Sequence, residues 1–251
     1  MLNFKKIDYI VISVFILLEI ALYLSFLFID KGIFVTRIES STLKYAGISL
    51  CLAFSLYCLI RKRKMANCFI PIALVFTLIS DYFLLFNSNQ NLYVYGLITF
   101  IITQLIYFAF ILYLRKSKLE LLINLLVRFL LTIAALVVAF YLNYSDVLTI
   151  LALVYFVELL SNFLYSTFLI KLDKEYLIFS LGLLLFIGCD INVGLNNVHL
   201  FEGIDYSLVN FLMWVFYLPS QVLLSLTNFV AQEKSIKFIW KACKTQIKVV
   251  N

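Results

Sequence analysis

Two aspartates stand out as residues that could do chemistry. Asp81 sits in Leu74–Phe86, LVFTLISDYFLLF, and Asp190 in Gly182–Gly194, GLLLFIGCDINVG. Each is embedded in an apolar run long enough to cross a bilayer. A carboxyl near the centre of such a run costs about 2.5–3.5 kcal/mol on insertion scales, so it is kept for a function or for a specific partner. One such aspartate reads equally well as a neutral residue hydrogen-bonded to a neighbouring helix. Two at matching depth in parallel spans point to a shared site. Paired carboxyls in a dry environment cannot easily both ionise, so they can divide the roles of acid and base. The same pattern also suits a proton-coupled transporter of small solutes.

The rest of the chain is the frame for this pair. It is 64% hydrophobic and 14% charged, with a mean hydropathy of +1.04. Soluble domains are roughly half apolar and a quarter charged. With 7 glycines and 2 prolines, little length is left for loops. The apolar runs are continuous rather than alternating, which predicts an all-α bundle and not a barrel. Eight spans of about 20 residues are expected: 9–28, 43–60, 67–86, 94–114, 119–142, 147–170, 176–195 and 207–231. Residues 1–231 then form a single transmembrane domain. Residues 232–251 form a basic amphipathic tail, expected on the cytoplasmic leaflet or in solvent. Lys5 and Lys6 precede an apolar run too long for a signal-peptide core, so the first run reads as a retained span.

The connections alternate in charge. Sixteen of the 20 lysines and arginines fall on one side, in Lys5/Lys6, Arg61–Lys64, Arg115/Lys116/Lys118, Lys171/Lys174 and the tail. Lys31, Arg37 and Lys44 lie on the other. The positive-inside rule places both termini in the cytoplasm. It also explains the net charge of +6 without any nucleic-acid partner. A faint repeat follows from this topology. Spans 3 and 7 run the same way and carry Asp81 and Asp190 at matching depth. The span after each carries a glutamine, Gln104 and Gln221. This suggests two four-helix halves that meet around a site.

Other polar groups fit structural roles. Arg128 and Glu158 fall near mid-depth on consecutive antiparallel spans and are expected to pair. Glu19 has no evident partner in its span. Pro219 removes a backbone donor and frees a carbonyl near Val215, which either kinks span 8 or opens it beside Gln221. Trp214 and Tyr217 read as ordinary membrane aromatics. His199 is the single histidine, expected in an outer loop, and the 5 cysteines show no paired spacing. Neither a zinc site nor serine nucleophile chemistry is expected, and free thiols are the default.

Several short motifs together resemble the YhhN-type family of integral membrane proteins, which includes the lysoplasmalogenases. They are Lys44 in LKYAGISL, Ser80-Asp81 in FTLISDYFLL, Phe100…Gln104…Tyr107 in FIITQLIY, Gly182…Phe186…Asp190 in GLLLFIGCD, and Tyr217…Gln221 in YLPSQ. The resemblance runs from about Lys44 to Leu224, and its specificity lies in the order and spacing of the motifs. There are departures. The family's Lys-Pro is here Lys44-Tyr45, its Gly-Asp is Ser80-Asp81, and its Ser-Asp is Cys189-Asp190. The second tyrosine of its last motif is Leu218. The histidine of its fourth span is Gln104.

The resemblance implies hydrolysis of the vinyl ether of a lysoplasmalogen to a fatty aldehyde and a glycerophospho-base, with no metal or cofactor. The substrate would be a lysophospholipid drawn from the bilayer, and the location a bacterial plasma membrane crossed several times. Asp81 and Asp190 would be the catalytic pair. Gln104 and Gln221 would orient water or glycerol oxygens, Lys44 would meet the phosphate, and Tyr107 and Tyr217 would line the substrate site. The alternatives are a proton-coupled small-solute transporter and a non-catalytic lipid-binding member of the family. The loss of the span 4 histidine points toward the latter.

Overall fold

The computed structural model describes residues 6–62, 65–86, 90–115, 118–144, 146–171, 173–198 and 206–230. These residues form eight long helices and no strand. They are α1 (Lys6–Asp30), α2 (Ser40–Lys62), α3 (Phe69–Leu85), α4 (Gln90–Arg115), α5 (Lys118–Tyr141), α6 (Val147–Ile170), α7 (Leu177–Val198) and α8 (Tyr206–Val230). All eight are long and apolar enough to cross a membrane. At about 1.5 Å per residue each spans roughly 30 Å with its flanking turns. The chain is a multi-pass membrane protein. Cys51, Cys58, Cys68 and Cys189 are not in disulfide bonds. His199, Cys243 and the 232–251 tail lie outside the described residues.

The helix ends follow local chemistry. Asp146 caps α6: one carboxylate oxygen accepts from the Thr149 amide at 3.0 Å and the other from its hydroxyl at 2.7 Å. These two bonds hold the Asp146 carboxyl below the usual carboxylate range. Gly32, just past α1, takes φ +69°, a left-handed conformation that glycine adopts without steric cost. Pro71 falls in the first turn of α3, where its missing N–H leaves no helical bond unmade. Pro219 is interior to α8. The carbonyl it frees, that of Val215, accepts the Tyr23 hydroxyl of α1 at 3.2 Å. That bond from α1 turns the helix break into an interhelical contact.

The helices pack in two similar sets. α3 packs most closely on α4, and α7 on α8. α1 lies on α2 as α5 lies on α6, α2 lies on α3 as α6 lies on α7, and α2 meets α8 as α6 meets α4. A short 3₁₀ turn precedes both α3 (Met65–Cys68) and α7 (Lys174–Tyr176). The order of contacts thus repeats after four helices, as the positions of the aspartates suggest. Close approach within each main pair needs glycine. A Cβ on Gly96 would lie 2.9 Å from Leu84 of α3, and one on Gly182 would lie 2.9 Å from Leu224 of α8. Small residues at helix crossings allow such contact in membranes. α1 and α5 are the outer helices, and their exposed faces are mostly apolar.

Arg128 and Glu158 form the expected pair between α5 and α6. Arg128 is more fully held than the sequence suggests. Its Nε donates to Asn124 at 2.6 Å, a terminal nitrogen donates to Asn162 at 2.7 Å, and the guanidinium lies 4.0 Å from the centre of the Phe108 ring.

Candidate active site

Asp81 and Asp190 lie in the C-terminal halves of α3 and α7. Asp81 lies about one turn before the end of α3, and Lys44 about one turn after the start of α2, so the two share a level. Asp81 is 3% exposed, and Asp190 is less completely covered.

Each aspartate is bound by one tyrosine. The Tyr217 hydroxyl of α8 donates to the Asp81 carboxyl, 2.7 and 2.8 Å from its two oxygens. The Tyr155 hydroxyl of α6 donates to Asp190 at 2.6 Å. The two units are joined by Phe186, one turn before Asp190 on α7. Its ring centre is 5.5 Å from that of Tyr217 and 6.4 Å from that of Tyr155. Phe100 of α4 closes the other side, 5.4 Å from Tyr155 and 5.8 Å from Phe186. The charges of both aspartates reach Tyr155 and Cys189, and that of Asp81 reaches Tyr45. The two aspartate–tyrosine units thus share neighbours and are walled by aromatic rings. Ser80, beside Asp81, donates to the Gly96 carbonyl at 2.6 Å and fixes this part of α3 against α4.

Lys44 adjoins this unit. Its ammonium lies 2.8 Å from Asp30 at the end of α1 and 4.2 Å from the centre of the Trp214 ring. Trp214 in turn meets Tyr217 edge-on at 5.4 Å. Lys44 is thus a buried, paired cation rather than a bare interfacial one.

The remaining sequence candidates lie deeper. Gln104, one turn past Phe100, accepts from Asn162 through both its side-chain oxygen (3.0 Å) and its backbone carbonyl (2.8 Å). Since Asn162 also holds Arg128, Gln104 belongs to the α4–α6 packing network. Gln221, one turn past Tyr217, donates to the Ser220 hydroxyl at 3.3 Å. The Tyr107 hydroxyl is buried without a partner. No direct hydrogen bond joins Gln104, Gln221 or Tyr107 to either aspartate among the described residues.

Tyr155, Asp30 and Phe186 do structural or electrostatic work that the spacing argument does not assign to them. A signal for Tyr155 exists: Tyr155, Glu158, Asn162 and Ser166 recur at helical spacing along α6, a polar face inside an apolar run. Among the described residues no group of three or more His, Cys, Asp or Glu is placed to hold a metal ion.

The sequence model of the YhhN family matches residues 40–228. That stretch runs from the start of α2 almost to the end of α8 and contains both aspartates, both tyrosines and Lys44. The chain belongs to the YhhN family. α1, with Glu19 and Asp30, lies before the matched part. No curated protein and no solved structure matches this YhhN chain.

Proposed function

We propose that this YhhN protein is a lysoplasmalogenase-like hydrolase that cleaves the vinyl ether of a lysophospholipid within a bacterial plasma membrane. The observation that carries this reading is the joined pair of embedded carboxyls, each held by one phenol and separated by Phe186.

Vinyl ethers resist bases and yield to acids. A proton goes to the β-carbon, the double-bond electrons form the new C–H bond, and the oxygen lone pair stabilises the resulting oxocarbenium ion. Water adds to that cation and loses a proton, and the hemiacetal collapses to aldehyde and alcohol. The proton is returned, and one water is consumed. This is the division of labour of a glycosidase, with one carboxyl as acid and the other as carboxylate that stabilises the cation and takes the proton of water. Asp81 and Asp190 are assigned to these roles as a pair. A phenol donating to a carboxylate supports its charge in a site with little water. The aromatic walls of Phe100, Phe186 and Trp214 suit an alkenyl chain and offer π-faces to a cation. Lys44, shared with Asp30, is assigned to the phosphate.

The Gln104 departure bears on the non-catalytic alternative. In this chain residue 104 is engaged by Asn162, and the aspartates take their hydrogen bonds from tyrosines. The replacement of histidine therefore removes no direct partner of the pair. The test is incubation of purified protein in detergent with a vinyl-ether lysolipid, assayed for fatty aldehyde. Release above a protein-free control supports hydrolysis. Its absence, together with solute movement in sealed vesicles, would favour a transporter.

A further inference from the structure

A second polar group lies near the middle of the bundle, one to two turns below the aspartates. Glu19 of α1 accepts from the Cys51 thiol of α2 at 3.3 Å. Ser225 of α8 also lies within hydrogen-bonding reach of the Cys51 sulfur, and Tyr107 of α4 lies close to it. Four buried atoms on these helices have no hydrogen-bond partner: Glu19 Oε2, Gln221 Oε1, the Tyr107 hydroxyl and, one turn before Tyr107 on α4, Gln104 Nε2. None of the four residues is more than 3% exposed. Glu19 Oε2 would stand 3.3 Å from a Cβ on Gly47, whose nearest neighbour is Leu218, one turn before Gln221 on α8.

The unmet atoms are complementary in kind. Glu19 Oε2 and Gln221 Oε1 accept, Gln104 Nε2 donates, and a phenol does both. They are not bonded to one another, so direct pairing does not satisfy them. Buried polar groups are almost always satisfied, and where protein atoms do not reach one another an ordered molecule that donates and accepts does so. We infer that Glu19, Cys51, Gln104, Tyr107, Gln221 and Ser225 form an internal water-binding site at mid-depth, distinct from the aspartate pair. Tyr217, Gln221 and Ser225 recur every fourth residue on α8, so one polar stripe joins this site to Asp81. Hydrolysis consumes water in a part of the protein that lipid surrounds. The stripe is a route by which the site supplies that second substrate, a role that rests on the function proposed above. The water site itself does not. Its acid, Glu19, lies before the stretch matched by the family model.

Pulsed X-ray hydroxyl-radical footprinting of the intact protein in detergent tests the site, because bound water generates radicals beside side chains that bulk solvent does not touch. Cys51 and Tyr107 should be oxidised promptly. Cys58, equally buried on the same helix, should not be. Glu19→Leu or Gln221→Leu should abolish the Tyr107 label. Should either variant fail to fold, the wild-type comparison of Cys51 with Cys58 decides alone. Oxidation of Cys51 and Tyr107 no faster than that of Cys58 would overturn the inference. Prompt labelling in a protein that releases no aldehyde would keep the water site and refute only its role in hydrolysis.

Discussion

Tyr217→Phe removes a single oxygen from the site and leaves the ring in place. The ring contacts with Trp214 (5.4 Å) and Phe186 (5.5 Å) survive, so the loss reports on the hydroxyl. That hydroxyl is the hydrogen-bond partner of Asp81, which is 3% exposed and cannot turn to bulk solvent instead. A hydrogen bond to a charged group contributes about 1.5–3 kcal/mol. At about 1.4 kcal/mol per decade this is roughly a 10- to 150-fold loss in aldehyde release if Asp81 works as carboxylate. Tyr155→Phe should cost less, about 0.5–1.5 kcal/mol, because Asp190 is more open and can recruit water. Thermal unfolding in detergent and initial rates with a vinyl-ether lysolipid give the two readouts. The decisive measurement is the cycle of Tyr217→Phe with Asp81→Asn. Direct contact predicts that the tyrosine change costs at least about 1 kcal/mol less once the carboxylate is gone. Strict additivity would refute the coupling on which the site is built.

Asp81→Asn and Asp190→Asn should each lower kcat by about 10²–10⁴ while the protein still folds, and near-normal turnover in both would end the acid/base reading. The wild-type rate should follow a bell-shaped pH profile whose limbs belong to the pair and not to one residue. Glu158→Gln should destabilise by about 3 kcal/mol, the low end for a broken buried pair, because Asn124, Asn162 and Phe108 still hold Arg128. Adding Arg128→Met should recover much of that in thermal unfolding. Lys44→Met should raise KM for a phospholipid more than it lowers kcat, and Asp30→Asn should affect stability less than Lys44→Met does, since Trp214 still covers the ammonium. In a cysteine-free background, a cysteine at Glu39 should react with an impermeant reagent in intact cells and one at Lys171 should not; the reverse would overturn the orientation.

The eight spans were legible because hydropathy in lipid is a strong constraint. Two helices start ahead of their apolar runs. α1 already includes Lys6 to Asp8, ahead of Tyr9, and Asp8 is tied there to Arg61 at 3.0 Å and to Tyr57 at 2.7 Å. α4 already includes Gln90, ahead of Val94 and its apolar run. The freed carbonyl at Val215 and the Arg128–Glu158 pair were also legible, since both follow from helical spacing and fixed topology. The phenol on Asp190 was not assigned from the sequence. Tyr155 comes from α6, and nothing in the linear order of spans says that α6 rather than α8 serves α7. Asp30 was missed for a related reason: its pairing with Lys44 depends on how α1 ends against the start of α2.

The two halves of the bundle repeat their packing but not their hydroxyls. Tyr217 and Gln221 are one turn apart on α8, and Phe100 and Gln104 are one turn apart on α4. In the first position α8 has a phenol and α4 a bare ring. Tyr217 therefore spans to α3 and binds Asp81, whereas Phe100 can only pack against Phe186 and Tyr155. Asp190 takes its bond from Tyr155 on the neighbouring helix instead. The deeper glutamines diverge in which end is bonded: Gln104 accepts from Asn162 and keeps its amide nitrogen unmet, while Gln221 donates to Ser220 and keeps its oxygen unmet beside the α8 stripe. Two equivalent carboxyls would compete for one role. A buried Asp81 held through both oxygens and a more open Asp190 held through one are no longer equivalent, and that inequality is what an acid and its partner base require.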